Sequence, residues 1–332
     1  IGRNRAARWW LSLSERSLPL SAPACELLER ERPDLLLVIP ALDAFSGLDT
    51  SAPQVDLIAA ARRHGVRTLA LAANADTSIN DAMLHAQPHA VLVWTDRQRQ
   101  EARSRLGPGV GVHVIGAGPF DEWLQGSHEN PKRERSSVRS AFGLPDRPFV
   151  LFAGSGGFVN DPAREVGLAL EWVAALRKHS AARVRKLPVL IRPAPGDTRA
   201  WRHADFAGLG PVVLCPFNYE DDGALDTVLL RESIRSAAVV VSAEVRVLTM
   251  AIVLGTPAVG ALAGGGGTTE RTMKHLFPDA SWRWVSDVPG LVSATAKALK
   301  AESPDRDSSR ETLRRFVRPE GVAQASSSLM LR

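Results

Sequence analysis

Residues 238–257 read AVVVSAEVRVLTMAIVLGTP, and this stretch decides the fold. It opens on a β-branched run with no polar alternation, the composition of a strand buried on both faces. It continues as an apolar helix that closes at Gly255, with Pro257 behind it as a stop. A buried strand feeding a buried helix is the repeating unit of a parallel sheet with crossover helices.

The same alternation runs outward in both directions. Short apolar runs bounded by Pro, Gly, Asn or Asp predict strands over residues 35–40, 67–73, 90–95 and 112–116 in the first half. Helices are expected over 54–64, closed by Gly65, and over 97–106, closed by Gly107. The second half restarts with strands over 149–153, 187–192, 212–215, 238–241, 258–262 and 282–285. One helix there is legible in detail. Asp161 is its N-cap, Pro162 takes the first helical position, and Val166, Ala169, Leu170, Val173 and Leu176 form the apolar stripe. Arg177, Lys178 and His179 complement the negative end of its dipole.

Residues 126–137, GSHENPKRERSS, carry charge without periodic apolar positions. The expected division is therefore a first domain over 1–125, a linker over 126–147 and a second domain over 148–332. Closing helices over 311–317 and 321–331 would cross back to the first domain. The fold class is α/β, with two Rossmann-like domains. The first has about four strands where a doubly wound domain has five or six, so it is expected to be incomplete at its N-terminus. The opening IGRNRAARWWLSL lacks the apolar core and cleavage site of a signal peptide, and residues upstream of Ile1 are expected.

Composition narrows the function classes. An apolar fraction of 45% and a charged fraction of 23% are ordinary for a globular protein, and no apolar run approaches the ~18 residues of a spanning helix. The net charge of +5 is spread along the chain and a single Tyr is available for base stacking, which argues against nucleic acid as a partner. Cys25 and Cys215 stand far apart without a CxxC, so a cytoplasmic location fits. The histidines show no ligand spacing, so no metal is expected. Residues 116–120, GAGPF, mimic the start of a dinucleotide fingerprint but lack its third glycine and carry Pro119, so an NAD site is rejected.

Three features collect at strand ends. FAGSGGF, residues 152–158, follows a strand, and the amides of Gly154, Ser155, Gly156 and Gly157 suit an anion. Arg192 ends the next strand, on the side where open α/β sheets take ligands. Ser242 and Glu244 begin the helix of the 238–257 unit, placed near Ser242 or Ala243, with its dipole directed at the same edge. Each also has a plainer reading, as a tight connection, a surface ion pair and helix-start residues. The glycine-rich loop 264–270, GGGGTTE, falls at that edge too.

Taken in order, PDLLLVIP at 33, AARRHGVRTL at 60, AVLVWTDRQRQEA at 90, VIGAGPFDEWL at 114, FGLPDRPFVLFAGSGGF at 142, EWVAALR at 171, PVLIRPAP at 188, the 238–257 unit and FVRPEG at 316 resemble a family of GT-B-fold glycosyltransferases. That family is related to polysaccharide and teichoic-acid enzymes, the UDP-glycosyltransferases and CDP-glycerol glycerophosphotransferases among its kin. The resemblance implies two facing Rossmann-like domains. It also implies a nucleotide-sugar donor, UDP the expected nucleotide, and a glycan or lipid-linked acceptor. No tightly bound cofactor is expected, and peripheral membrane or homo-oligomeric association is compatible with it. The loop 154–157, Arg192 and the helix after Val241 would lie near the donor phosphates. Asp43 and Asp49, soon after the first strand, are the candidate catalytic bases of an inverting transfer.

The chain also departs from the family pattern. Ala194 and Glu320 replace histidines, Arg246 replaces a serine, Met250 replaces a ribose-binding glutamate, and AANADTSIN at 72–80 replaces a WDN-type segment. A methionine cannot accept a hydroxyl's hydrogen bond as a carboxylate does. A degenerate relative that keeps the fold and acts as a binding or scaffold subunit is the alternative. The related nucleotide-sugar epimerases come last, their acidic and histidine groups having no evident counterparts.

Overall fold

The computed structural model describes residues 20–39, 53–72, 87–125, 138–155, 161–194, 198–215, 223–262, 282–300, 313, 317–319 and 325–330. The chain forms two compact units, Ile1–Asp121 with Arg314–Arg332, and Glu122–Leu313. The first unit thus takes the C-terminal residues that the sequence division left with the second. Residues 122–147 go to the second.

In the first unit, α1 (Ala22–Glu31) precedes β1 (Leu35–Val38), α2 (Pro53–Arg63) leads to β2 (Arg67–Leu71), and β3 (Ala90–Val93) passes through α3 (Asp96–Arg105) to β4 (Gly111–Val114). These strands form a parallel sheet in the order β1-β2-β3-β4. A capping box starts α3. Thr95 Oγ1 accepts the Gln98 N–H at 3.2 Å, and Gln98 Oε1 accepts the Thr95 N–H, also at 3.2 Å. A 3₁₀ turn, Gly118–Phe120, and the short α4 (Asp121–Gln125) follow.

The GAGPF stretch is the seat of the chain's C-terminus. Gly116 has φ +82°, and a Cβ there would run into the Val317 carbonyl, with Ser326 Oγ at 2.7 Å. The Ala117 N–H donates to the Val317 carbonyl at 2.9 Å. Asp121, buried, pairs with the buried Arg318 at 2.8 Å. It also accepts the N–H groups of Ser326 (3.2 Å) and Ser327 (3.0 Å) at the start of α11 (Ser326–Met330). The tail therefore returns to the first unit because a buried carboxylate and a side-chain-free glycine receive it there.

The second unit carries β5 (Val150–Ala153), α5 (Pro162–Arg177), α6 (Ala182–Arg185), β6 (Val189–Arg192), α7 (Thr198–Arg202), β7 (Val212–Leu214) and α8 (Gly223–Ser236). β8 (Val239–Ser242), α9 (Val245–Val253), β9 (Ala258–Ala261), β10 (Arg283–Val285) and α10 (Val288–Ala298) complete it. Its sheet is parallel throughout, in the order β10-β9-β8-β5-β6-β7. β5, β6 and β8 are buried at every position, the apolar runs together with Arg192 and Ser242 that close β6 and β8. Phe152 packs against Trp172 of α5 and Trp201 of α7, with ring centroids 5.7 and 5.9 Å apart. Each of these buried rings contributes on the order of 2–3 kcal/mol.

α5 follows its sequence signature: Asp161 Oδ1 accepts the Arg164 N–H at 3.0 Å, with Pro162 at the first helical position. α9 ends in a Schellman motif on Gly255 (φ +72°), with Gly255 N–H to Ile252 O at 3.0 Å and Thr256 N–H to Ala251 O at 2.8 Å. Its start differs from expectation. The Ser242 hydroxyl accepts the Glu244 N–H at 3.0 Å, which forms a turn first, so Glu244 is the N-cap and the helix begins at Val245.

Candidate functional site

β5 is the first strand of its sheet in chain order. The chain adds β6 and β7 on one side of it and then returns to lay β8, β9 and β10 on the other. Between β5 and β8 the connections leave in opposite directions, and the carboxyl ends of strands at such a switch point are where open α/β sheets take ligands. The register puts Ala153 beside Arg192 on one side and Ser242 on the other, with Gly260 next to Ser242. The sequence-derived positions Gly154, Ser155, Arg192, Ser242 and Glu244 therefore belong to one sheet edge. Asp43, Asp49, Gly156, Gly157 and the 264–270 loop lie outside the described residues.

Gly154 is where β5 turns off the sheet. Its N–H donates to the Arg192 carbonyl at 2.7 Å, and a Cβ would sit 2.8 Å from the Ala194 nitrogen and 3.2 Å from Pro193 Cα. The close approach of the β6 exit thus demands glycine. The next residue, Ser155, is held by Glu165 from the first turn of α5. The Glu165 carboxylate accepts the Ser155 N–H at 3.0 Å and its hydroxyl at 2.5 Å, and Glu165 is 2% exposed. Sequence reasoning missed this residue. Its signal was the spacing DPARE at 161–165, an N-cap followed by an acid near the positive end of the helix dipole. The anion-favouring start of α5 is accordingly occupied by the protein's own Asp161 and Glu165.

Arg192 is buried at 3% exposure, where a surface ion pair was the plainer expectation. Its Nη1 donates to Ser233 Oγ of α8 at 3.4 Å, and Ser233 in turn donates to the Leu229 carbonyl at 2.6 Å. A buried guanidinium at a strand end is a strong, fixed donor group. Ser242 is fully buried, its hydroxyl used by the turn before α9. The Glu244 side chain makes no capping bond and instead pairs with Arg246 Nε at 2.9 Å. Arg246 thus brings a partly neutralised positive charge to the first turn of α9. Met250 and Ala194 are buried.

Among the described residues no three His, Cys, Asp or Glu come together as metal ligands, and no helix is long and apolar enough to cross a membrane.

No protein-family model matches the sequence, and neither does the sequence of any curated protein. Solved structures do match the fold along nearly the whole chain. The UDP-GlcNAc 2-epimerase of Neisseria meningitidis, solved with UDP-GlcNAc, superposes with a TM-score of 0.60 at 14% identity, covering 98% of this chain and 81% of its own. A glycosyltransferase of Rickettsia africae gives 0.56 at 11% identity, over 100% and 82%. HepE of Anabaena, solved with UDP and glucose, gives 0.59 at 13% identity, over 93% and 80%. The fold is GT-B. This GT-B chain keeps the two parallel α/β units of its neighbours, and the strand-order reversal at β5 and β8 belongs to its second unit. At these identities it is the fold that is shared.

Proposed function

We propose that this protein binds a nucleotide-activated sugar, with UDP as the nucleotide, and transfers the sugar to a glycan or lipid-linked acceptor in polysaccharide or cell-surface glycan synthesis. The observation that carries the reading is that Gly154, Arg192 and the start of α9 come together at the carboxyl ends of β5, β6 and β8, at the switch point of the sheet. The neighbours solved with UDP or UDP-GlcNAc support it. Two free cysteines, Cys25 and Cys215, suit a reducing cytoplasm.

In this reading the nucleotide leaves as a diphosphate. Arg192, the amides of the α9 start and those of Gly156 and Gly157 stabilise the charge that develops on it, since the Gly154 and Ser155 N–H groups already serve the Arg192 carbonyl and Glu165. The Glu244–Arg246 pair lies beside that charge, with Arg246 the member that gains from it. A carboxylate of the first domain, Asp43 or Asp49, takes the acceptor's proton as its oxygen attacks the anomeric carbon.

One observation favours a second reading, a GT-B scaffold that binds without catalysis. The Ser155 amide and hydroxyl, first donors of the glycine loop, are bound to Glu165. Incubation with UDP-sugars in D₂O separates these outcomes. Transfer or hydrolysis releases UDP, epimerisation places deuterium on the sugar without net release, and a binder does neither while still retaining UDP. Absence of both turnover and UDP retention would remove the nucleotide-sugar reading.

A further inference from the structure

At the opposite pole of the second unit, beyond the amino ends of β5, β6 and β8, lies a groove of about 550 Å³. Its floor includes Leu187, Pro188 and Ala238, and its rim carries Arg147, Arg183 and Lys186. All three cations are exposed. The volume falls within the range of small-molecule sites, roughly 300–1,000 Å³. Residues 177–186, RKHSAARVRK, supply five Lys or Arg and no acid.

Among the described residues these charges have little carboxylate compensation. Arg183 donates to the Leu299 carbonyl, and Arg185 to the carbonyls of His179 and Ser180 at 2.9 and 3.0 Å. Behind the rim, Arg177 donates to the carbonyls of Arg185 and Leu187, while its Nη2 is buried with no acceptor. Burial, then the neighbouring Arg147, lower the Arg177 pKa from its ordinary value. Lys300 follows Leu299 of the lining and adds to the excess. Asp146, next to Arg147, faces solvent and pairs with Arg139 at 3.1 Å.

We propose that this groove binds a phosphate-headed lipid, the phosphate on the Arg147, Arg183 and Lys186 rim and an acyl chain along the apolar floor. Charge complementarity selects the anion, and the apolar floor selects an amphiphile over a free phosphate or a polyanion. The groove lies at the other ends of the strands from Gly154 and Ser242, so the lipid and the nucleotide are bound independently.

The test is a titration of the full chain with monomeric dihexanoyl phosphatidic acid, against dihexanoyl phosphatidylcholine, glycerol 3-phosphate and inorganic phosphate. Saturable binding of phosphatidic acid is expected, with the zwitterionic lipid and both chain-free phosphates far weaker. The double variant Arg147→Glu/Lys186→Glu should weaken it by at least on the order of 25-fold, about fivefold for each cation removed. Circular dichroism melting of that variant checks that it is folded. Equal binding of glycerol 3-phosphate, no binding of phosphatidic acid, or wild-type affinity in the folded double variant would each overturn the proposal.

Discussion

The Glu165 carboxylate holds both donors of Ser155, the backbone N–H at 3.0 Å and the hydroxyl at 2.5 Å, and so ties the exit of β5 to the start of α5. Glu165→Ala strands two donors in a site where Ser155 is 7% exposed. A loss of about 2–6 kcal/mol is expected, since each orphaned group costs about 1–3 kcal/mol. Glu165→Gln, which retains an acceptor, should lose less. Urea unfolding measures both, and an unchanged midpoint in the alanine variant would mean that Ser155 finds other acceptors.

Two glycines of the second unit should respond in opposite directions. Gly154→Ala pushes a methyl to 2.8 Å from the Ala194 nitrogen, a backbone atom that cannot swing aside, and should cost about 1–3 kcal/mol. Gly167, inside α5, has open space around it, so Gly167→Ala should stabilise by about 0.5–1 kcal/mol through helix propensity alone. Thermal melts of the two variants check the contrast. A stabilised Gly154→Ala would show that the β5 and β6 exits do not press together.

Asp121→Ala removes the only carboxylate that the described residues set against buried Arg318 and frees the amides of Ser326 and Ser327. Breaking one side of a buried pair costs about 3–5 kcal/mol. Limited proteolysis should then cut the C-terminal residues sooner than in the wild type. Equal cutting rates in the two proteins would contradict the role given to Asp121 as the tail's anchor.

Much of this architecture was legible in the residues. The strands stand out because parallel strands buried on both faces need unbroken apolar runs, as in VLFA at 150–153 and VVV at 239–241. Caps and glycine stops such as Asp161 and Gly255 are local chemistry and read directly. The site was legible only as strand-end positions. That Arg192 turns inward to Ser233, that Ser242 forms a turn before α9, and that Glu165 reaches back to Ser155 are consequences of packing between elements distant in sequence. The GAGPF stretch lacks the third glycine of a dinucleotide fingerprint, and its use as a seat for the C-terminus depends on residues some 200 positions away.

Arg192→Ala should weaken UDP binding by about 1.5–3 kcal/mol, the contribution of a charge-assisted hydrogen bond to phosphate. Arg192→Lys, which keeps the charge without the planar fork, should fall between. Affinities are compared at a temperature where all three proteins are folded, because burying a lysine or a cavity at this 3% exposed position also lowers stability. Wild-type affinity in Arg192→Ala would remove this residue from the donor site.

Whether the carboxyl ends of β5 and β8 take a nucleoside diphosphate is tested most directly by isothermal titration of the wild-type chain with UDP, CDP, GDP and ADP. The expected result is saturable one-to-one binding with UDP tightest, accompanied by a rise in melting temperature of the kind that ligand at 100 times its Kd produces, about 2.7 kcal/mol. No binding of any of the four, with the protein folded, would contradict it.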